Sequence, residues 1–383
     1  MNPLRIALLG SRGIPARYGG YETLMEELAP RLVARGHDVT VYCRAQYTRP
    51  EESPYRGVVL QVLPTLSTKH LDTPVHTLLS ALHVLARRLR GARHDAALVV
   101  NSANALFLPL LRLAGVPTAL HVDGIEKRRA KWGRVGRTVY ALSERLACRL
   151  PDVLVTDADV IQRHYQARYG ADSRMITYGV EPTPPGREEV LDALGLEPGR
   201  YLLYVSRFEP ENNPHRVVDA YRAVGGDLPL VMVGDAPYAD DFIAGVRAAA
   251  DDRVRFPGAI YGDGYRELQS HALAYIHATD VGGTHPALVE AMGYGNCPLV
   301  NDTPENREVA GDEALYFRAD TPSTLAHAIE RVLLDRADAA RRGAAARSRA
   351  EARFSWRRVT DAYEELFTDL ARGSRRQSGR ARV

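Results

Sequence analysis

Short apolar runs alternate with segments of helical periodicity along the first half of the chain. Leu4–Leu9 is an apolar run, and Thr23–Arg35 follows it with leucines and a valine at helical spacing. Val39–Cys43 is apolar again, so the opening segment predicts a strand, a helix and a second strand. The same pattern predicts strands at Ala96–Val100, Pro117–Val122 and Val153–Thr156, and helices at Val75–Leu89 and Tyr140–Leu150.

A proline-rich segment that begins near residue 180 interrupts this alternation and has the composition of a linker. Beyond it the pattern predicts strands at Tyr201–Val205, Leu228–Val233, Val254–Phe256, Ala274–His277 and Cys297–Val300. It predicts helices at Pro214–Val224, Ala239–Ala250, Ala287–Gly293, Thr324–Leu334 and Arg357–Leu370. The fold class is therefore α/β, with two doubly wound, Rossmann-like domains that we expect to face each other across a cleft. Ligands of such domains bind at the loops that follow the strands.

Composition is that of a folded protein from a reducing compartment. Of the 383 residues, 45% are hydrophobic, which is enough for a sizeable core. The apolar runs are far shorter than the ~20 residues that span a bilayer, and Ile6–Leu9 is too short for a secretory signal. Cys43, Cys148 and Cys297 are scattered. We therefore expect free core thiols, no metal ligands among them, and a cytoplasmic location.

Charge is distributed unevenly along the chain. Residues 1–180 hold 25 Lys and Arg against 15 Asp and Glu, whereas residues 181–383 hold 25 against 32. A basic half indicates an anionic partner, with compositional scatter as the simpler alternative. We hypothesise peripheral contact with the inner face of the cell membrane and expect no nucleic-acid partner. The basic residues concerned are Arg87, Arg88, Arg90 and Arg93, and the run from Lys127 to Arg137 beside Trp132.

A glycine-rich segment, GSRGIPARYGGYE at 10–22, follows the first predicted strand and opens the first helix. Glycines let the backbone approach a ligand, and the N–H groups at a helix start favour an anion. The segment contains neither the GxGxxG pattern of dinucleotide-binding proteins nor the lysine-containing phosphate loop. This argues against a dehydrogenase, while an ordinary turn stays open as the alternative.

Two further segments place chemically useful residues after predicted strands. His121 and Asp123 end one strand, where Asp123 can orient a histidine or a substrate hydroxyl. The basic run behind them is, taken alone, more typical of a solvated helix face. In the second half, Arg207 follows the strand Tyr201–Val205 and can bind a diphosphate through two N–H groups.

A second glycine-rich loop leads directly into a helix in the segment GGTHPALVEAMG at 282–293. The helix start suits a pyrophosphate, and Glu290 can accept hydrogen bonds from two ribose hydroxyls. The alternative for Glu290 is an ordinary helix-surface residue. Its apolar neighbours Val289 and Ala291 favour a specific partner.

Together these segments resemble the retaining family-4 glycosyltransferases of the GT-B fold over essentially the whole chain, and more narrowly their rhamnosyltransferase-like branch. The matching stretches are RGIPARYGGYET at 12–23, VDGIE at 122–126, PENN at 210–213 and GGTHP at 282–286. The resemblance implies transfer of a hexose from a nucleoside-diphosphate sugar to a hydroxyl, with retention at the anomeric carbon. The expected donor is dTDP-L-rhamnose or a UDP-sugar, and no metal or other cofactor is expected.

The resemblance also implies which residues bind the donor. Arg207 matches the arginine that contacts the diphosphate, whereas Asn212 and Gly282 stand where the family usually has Lys and Glu. Asp280 is a candidate to replace that missing Glu. The implied donor-binding residues are Gly19, Gly20, Arg207, Asn212, Gly234, Ile260, Gly283, Thr284, His285, Pro286, Ala287, Leu288 and Glu290.

The first half is implied to receive the acceptor, and the implied catalytic residues are His121, Asp123 and Arg207. We expect no enzymic nucleophile, because the leaving phosphate itself can take the acceptor's proton. The implied acceptor-binding residues are Arg17, Tyr18, Tyr21, Glu22, Glu126 and Lys127. A glycan, a polyprenyl-diphosphate-linked saccharide and a secondary metabolite are candidate acceptors. A GT-B sugar-nucleotide epimerase and a non-catalytic sugar-nucleotide binder are the alternative functions.

The predicted organisation has four parts. An N-terminal acceptor-binding domain spans 1–180 and a C-terminal nucleotide-sugar-binding domain spans 181–355. A helix at 356–372 returns to the N-terminal domain, and 373–383 is a disordered basic tail.

Overall fold

The computed structural model describes residues 2–66, 68, 71–124, 134–185, 189–236 and 239–380, without the side chains of 134–137 and 374–380. The described residues form two compact units. The first unit contains those of 2–124, 134–177 and 356–380, and the second contains those of 178–355. The boundary falls three residues before the predicted one, because the amide of Val180 donates to the carbonyl of Phe354 at 2.5 Å and Val180 pairs with Ser355.

A seven-stranded parallel sheet forms the first unit. Its strands are β1 (Arg5–Leu9), β2 (Asp38–Arg44), β3 (Val59–Leu63), β4 (Ala96–Val100), β5 (Thr118–Val122), β6 (Val153–Thr156) and β7 (Arg174–Met175). They lie in the order β3-β2-β1-β4-β5-β6-β7. Its helices up to residue 177 are α1 (Gly20–Ala34), α2 (Asp72–Leu89), α3 (Leu108–Leu113), α4 (Arg134–Ala147) and α5 (Asp159–Tyr169).

A six-stranded parallel sheet forms the second unit, in the order β10-β9-β8-β11-β12-β13. Its strands are β8 (Leu202–Val205), β9 (Leu230–Val233), β10 (Val254–Gly258), β11 (Ala274–His277), β12 (Cys297–Asn301) and β13 (Leu315–Phe317). Its helices are α6 (Val190–Leu194), α7 (Pro214–Arg222), α8 (Asp240–Ala249), α9 (Gly262–His271), α10 (Pro286–Gly293), α11 (Pro304–Ala310), α12 (Pro322–Leu334) and α13 (Arg336–Arg353).

Both faces of the second sheet are buried. Leu202 and Tyr204 on β8 belong to one hydrophobic cluster, whereas Leu203, between them, belongs to the other. Successive strand residues point to opposite faces, so helices must cover both sides of the sheet. The predicted doubly wound α/β class is confirmed in both units by these parallel strand orders.

The last helix, α14 (Trp356–Arg380), belongs to the first unit. A buried histidine joins it to the first strand: His37 Nδ1 accepts from the amide of Leu4 at 3.1 Å, so its Nε2 donates to Glu364 Oε1, also at 3.1 Å. Arg35 forms an ion pair with the same carboxylate. These contacts fix the helix beside the amino end of β1.

The helix α14 continues to Arg380, into the segment predicted to be a disordered tail. Arginine and glutamine, which dominate 375–380, have good helix propensity and extend the backbone hydrogen bonding. Residues 381–383 lie outside the described chain.

We expect the free energy of unfolding of the first unit to depend less on pH in the Glu364→Gln variant than in the parent. Burial raises the pKa of Glu364, but hydrogen bonds from Arg35 and His37 outweigh it and hold this pKa below its usual value. A depressed carboxyl pKa stabilises the fold above about pH 4–5, and this stabilisation is lost as the pH falls through the folded-state value. Urea unfolding at pH 7 and pH 4, followed by Trp356 fluorescence in a Trp132→Phe background, measures this difference.

Glu365→Gln is the matched control, because Glu365 is the next residue on the helix and its side chain is 69% exposed. We expect the control to lose as much stability on acidification as the parent does. Equal acid dependence in Glu364→Gln and the parent would contradict the assignment.

Candidate active site

The turn after β1 is tied to helix α1 by two carboxylates. Glu22 Oε1 accepts from the amide of Arg12 at 2.7 Å, and Glu26 Oε2 accepts from the amide of Ala16 at 2.8 Å. Glu22 is buried, so its carboxylate holds this loop instead of pointing outward toward an acceptor. The loop returns to α1 at Gly19, whose extended backbone caps the helix without a side-chain hydrogen bond.

Tyr21, in the first turn of α1 after Gly20, connects this loop to the end of β5. Its hydroxyl donates to Asp123 Oδ1 at 2.8 Å and lies 3.2 Å from the amide of Asp123, from which it accepts. Its ring meets the ring of His121 edge-on, with 5.8 Å between the centroids. The structure therefore brings together three predicted site residues: Tyr21, His121 and Asp123. Asp123 is half-buried at the strand end, where its carboxylate can accept a hydrogen bond from a hydroxyl.

His121 lies beneath this arrangement and is fully buried. Burial lowers its pKa to about 3, so the ring is neutral. Its Nδ1 shares a hydrogen bond of 2.7 Å with the hydroxyl of Tyr363 on α14. The ring has no exposed surface in this structure and packs beneath Tyr21 and Asp123, and its catalytic contact stays a prediction. Tyr363 was missed, because it looks like any other buried residue of an amphipathic helix.

The other predicted acceptor-binding residues fall into two groups. Arg17 Nη1 donates to the carbonyl of Tyr47 at 3.4 Å, and the ring of Tyr18 stacks against the guanidinium of Arg12. Glu126 and Lys127 lie outside the described residues.

In the second unit, Arg207 follows β8 with its side chain 28% exposed and 3.6 Å from Glu209. Asn212 is buried, and its Nδ2 donates to the carbonyl of Arg207 at 2.7 Å. At the position where the family usually has Lys, the side chain therefore orients the Arg207 loop and carries no charge to a ligand. Asp280, the candidate to replace the missing Glu, accepts from Asn301 at 2.8 Å.

Gly234, directly after β9, is packed against the turn that follows β8. Its φ is +150°, and a Cβ built there would lie 1.8 Å from the carbonyl oxygen of Ser206. Its amide donates to the carbonyl of Gly258 at 3.0 Å, which brings the β10 loop alongside. Ile260 in that loop is half-buried against the core. The turns that follow the neighbouring strands β8, β9 and β10 therefore contact one another through their backbones.

The loop before α10 is shaped by a histidine lying over a glycine. His285 caps the helix, and a Cβ at Gly282 would lie 2.3 Å from its Cε1 atom. The buried ring of His277 is 4.7 Å from that of His285, and burial lowers the pKa of His277 to about 3. Gly282 therefore leaves room for His285 where the family usually has Glu.

The remaining residues of this loop differ in how far they are buried. Thr284 and Leu288 are buried, and the amide of Leu288 already donates to the carbonyl of His285 at 3.1 Å. Gly283 is buried as well, whereas Pro286 and Ala287 are half-buried in the first turn of α10.

Glu290 is held on α10 by a half-buried tyrosine that the sequence did not reveal. The hydroxyl of Tyr265 donates to Glu290 Oε2 at 2.6 Å, and Gln269 donates to that hydroxyl at 2.9 Å. Burial, and next the charge of Glu290, raise the pKa of Tyr265 well above its usual value, so the phenol keeps its proton. The carboxylate is thereby positioned by a neutral donor.

The described residues contain neither a cluster of metal-binding side chains nor a membrane-spanning helix. No three His, Cys, Asp or Glu side chains within the described chain are grouped as metal ligands would be. None of its helices is both long and apolar enough to cross a bilayer.

Comparison with known families matches both units. A model of the glycosyl transferase 4-like domain matches residues 19–179, and a model of glycosyl transferases group 1 matches residues 187–349. The two models together cover most of the chain. It belongs to the GT4-type glycosyltransferases of the GT-B fold.

Curated relatives are similar over nearly their whole length. The chain is 27% identical to a GDP-mannose-dependent α-(1-6)-phosphatidylinositol monomannoside mannosyltransferase of Mycobacterium tuberculosis, over 96% of this chain and 98% of the relative. It is 23% identical to the α-maltose-1-phosphate synthase of Mycolicibacterium smegmatis, over 96% and 100%. These relatives show a transferase and do not favour the epimerase or the non-catalytic binder.

Solved structures share the fold. Anabaena Alr3699/HepE in complex with UDP-glucose superposes with a TM-score of 0.77 at 17% identity, covering 96% of this chain and 100% of that chain. Sucrose-phosphate synthase from Thermosynechococcus elongatus superposes with a TM-score of 0.79 at 18% identity, covering 96% and 99%.

We expect Gly234→Ala to weaken nucleotide-sugar binding and to destabilise the second unit by about 1–3 kcal/mol. The added methyl group cannot fit against the Ser206 carbonyl, so the turn before Arg207 must shift. Calorimetric titration with nucleotide sugars and urea unfolding measure the two effects. Gly245→Ala is the control, because Gly245 lies on α8 with open space around it and should become slightly more stable. Similar behaviour of the two variants would contradict the steric argument.

Proposed function

We propose that the chain is a retaining glycosyltransferase that moves a hexose from a nucleoside-diphosphate sugar to a hydroxyl of its acceptor. One observation carries this proposal: Arg207, Gly234 and the start of α10 follow strands of one parallel sheet, with Glu290 further along that helix. A guanidinium and a helix start suit a diphosphate, a turn without a side chain lets it approach, and a carboxylate suits the ribose.

The proposed donor is dTDP-L-rhamnose or a UDP-sugar. The mannosyltransferase relative depends on GDP-mannose and the Alr3699/HepE structure contains UDP-glucose, which supports the class of nucleoside-diphosphate hexoses and not one sugar. At Gly282, where the family usually has Glu, the imidazole of His285 lies in place of a carboxylate. We infer that the hydroxyl groups of the donor sugar meet an imidazole ring at this position, which is a source of donor selectivity.

We propose that the reaction proceeds on one face of the sugar. The bond from the anomeric carbon to the diphosphate breaks, the acceptor oxygen bonds to that carbon, and an oxygen of the leaving diphosphate takes the acceptor's proton. Arg207 and the N–H groups at the start of α10 stabilise the charge on the leaving group. In the first unit Asp123, oriented by Tyr21, accepts a hydrogen bond from the acceptor. This scheme uses no divalent metal.

We expect Arg207→Ala to weaken nucleotide-sugar binding by about 1.5–3 kcal/mol through the loss of a charge-assisted contact. Glu290→Gln should also weaken it, although the amide oxygen can still accept from Tyr265. The measurement is calorimetric titration with a panel of nucleotide sugars in the presence of EDTA. The control is Arg200→Ala, since Arg200 is an exposed arginine of the same unit.

Unchanged affinity in both Arg207→Ala and Glu290→Gln would remove this donor site. Binding or turnover that disappears in EDTA and returns with magnesium or manganese would contradict the metal-free scheme.

The acceptor is proposed to be a glycan, a polyprenyl-diphosphate-linked saccharide or a secondary metabolite, reached in the lipid-linked case by peripheral docking on the cytoplasmic leaflet. The described surface supports docking at α2. Leu82 and Leu89 are 42% and 81% exposed, beside the exposed Arg88 and Arg90. Apolar side chains next to cations suit the surface of an anionic bilayer. The basic residues of the hypothesis from Lys127 to Lys131, together with Trp132, fall in 127–133, which lies outside the described chain. The side chains of Arg134 and Arg137 also lie outside it.

We expect the protein to co-sediment with anionic vesicles at low salt and to be released at high salt, because a Debye length shortens from about 30 Å at 0.01 M to about 3 Å at 1 M. The double variant Arg88→Glu/Arg90→Glu should bind less, whereas Arg163→Glu on the exposed face of α5 should bind like the parent. Equal partitioning onto neutral and anionic vesicles, or onto neither, would leave a soluble acceptor.

A further inference from the structure

The turn after β1 presents a cation that aromatic rings hold in place. The guanidinium carbon of Arg12 lies 3.2 Å from the ring centroid of Tyr18 and 4.9 Å from that of Tyr47. All three side chains are half-buried. In the part of the chain that the structure describes, Arg12 forms no ion pair and its guanidinium donates no hydrogen bond. Because the rings contact the flat face of the guanidinium, the N–H donors along its edge remain available for a ligand.

The neighbouring carboxylates are engaged elsewhere. Glu22 accepts from the backbone amide of Arg12, and Glu26 accepts from another amide of the loop and from a tyrosine hydroxyl. Asp72 is paired with the buried Arg44 at 2.5 Å. These acidic groups around the turn thus hold the backbone and one buried arginine, and in the described chain none of them forms an ion pair with the guanidinium of Arg12.

The location is consistent with ligand binding. Arg12 follows a strand at the carboxyl edge of the first sheet, in the same turn that leads to Gly19 and Gly20. The amide of Arg44 donates to the carbonyl of Arg12 at 3.0 Å, which brings a second cationic residue behind it. Arg17 lies on the other side and donates to Tyr47. Arg12 and Arg17 therefore lie in one turn, in front of the buried Arg44, which is paired with Asp72.

We propose that Arg12, framed by Tyr18 and Tyr47, is a binding subsite for a phosphoryl group. A guanidinium binds two phosphate oxygens through parallel N–H donors, and the two rings fix its plane without competing for those donors. Its place in a reaction rests on the proposed function, where the phosphoryl group belongs to a phosphorylated acceptor bound by the first unit.

The experiment is a calorimetric titration of the full chain with inorganic pyrophosphate. The parent, Arg207→Ala, Arg12→Ala and the double variant are compared, so that binding in the second unit is separated from binding in the first. We expect Arg207→Ala to retain pyrophosphate binding and the double variant to lose it by about tenfold or more. Loss of all binding in Arg207→Ala alone, or no further loss in the double variant, would overturn the subsite and leave the proposed function standing.

Ring variants test the framing. In the Arg207→Ala background, Tyr18→Phe keeps the aromatic face and should bind pyrophosphate like its parent, whereas Tyr18→Leu should bind more weakly. Arg163→Ala, which removes an exposed cation of the same unit, should change nothing. Equal binding by the phenylalanine and leucine variants would overturn the framed geometry. Circular dichroism and the unfolding midpoint verify that each variant is folded.

Titration of Arg12→Ala with a nucleotide sugar identifies the source of the phosphoryl group. Unchanged donor affinity together with weaker pyrophosphate binding assigns the subsite to a phosphorylated acceptor. Weaker donor affinity would overturn the assignment to an acceptor. If Arg207→Ala leaves donor affinity unchanged, the proposed donor site fails, and the Arg12 variants still decide the subsite.

Discussion

The candidate site of the first unit depends on two carboxylates that bind backbone amides, one buried and one half-buried. Glu22 and Glu26 on α1 accept from amides of the loop after β1, at 2.7 and 2.8 Å. A buried carboxylate without partners would cost several kcal/mol, so these bonds largely determine where the loop can lie. Both carboxylates are thus used to hold the backbone of the loop, and in the described chain neither forms an ion pair with Arg12.

The second unit obtains its geometry from a steric constraint instead. Strands β8 and β9 run side by side, and the turns after them come so close that Gly234 has no space for a Cβ against Ser206. The same compact turns set the backbone on which Arg207 stands, with Asn212 donating to its carbonyl. A neutral amide therefore supports the Arg207 loop, whereas carboxylates support the loop after β1.

Periodicity predicted most central strands and their helices, since strands buried on both faces give continuous apolar runs such as Ala96–Val100. It missed α13, because the buried face of that helix consists of Ala339, Gly343, Ala346 and Ala350, which are too small to produce an apolar stripe. Close packing needs them small: a Cβ at Gly343 would lie 2.0 Å from the carbonyl of Gly295.

Sequence motifs found both strand-end sites, but contacts that join distant segments carry no local signal. Tyr363 meets His121 across 242 positions, and Tyr265 meets Glu290 from a neighbouring helix. A motif shows which residue types are present, but the role of each residue also depends on the distant segments that pack over it. His121 shows this: its position after a strand suggested a catalytic ring, yet α14 buries it and lowers its pKa to about 3. The C-terminal helix therefore completes the support of Tyr21 and Asp123, so the far end of the chain belongs to the site of the first unit.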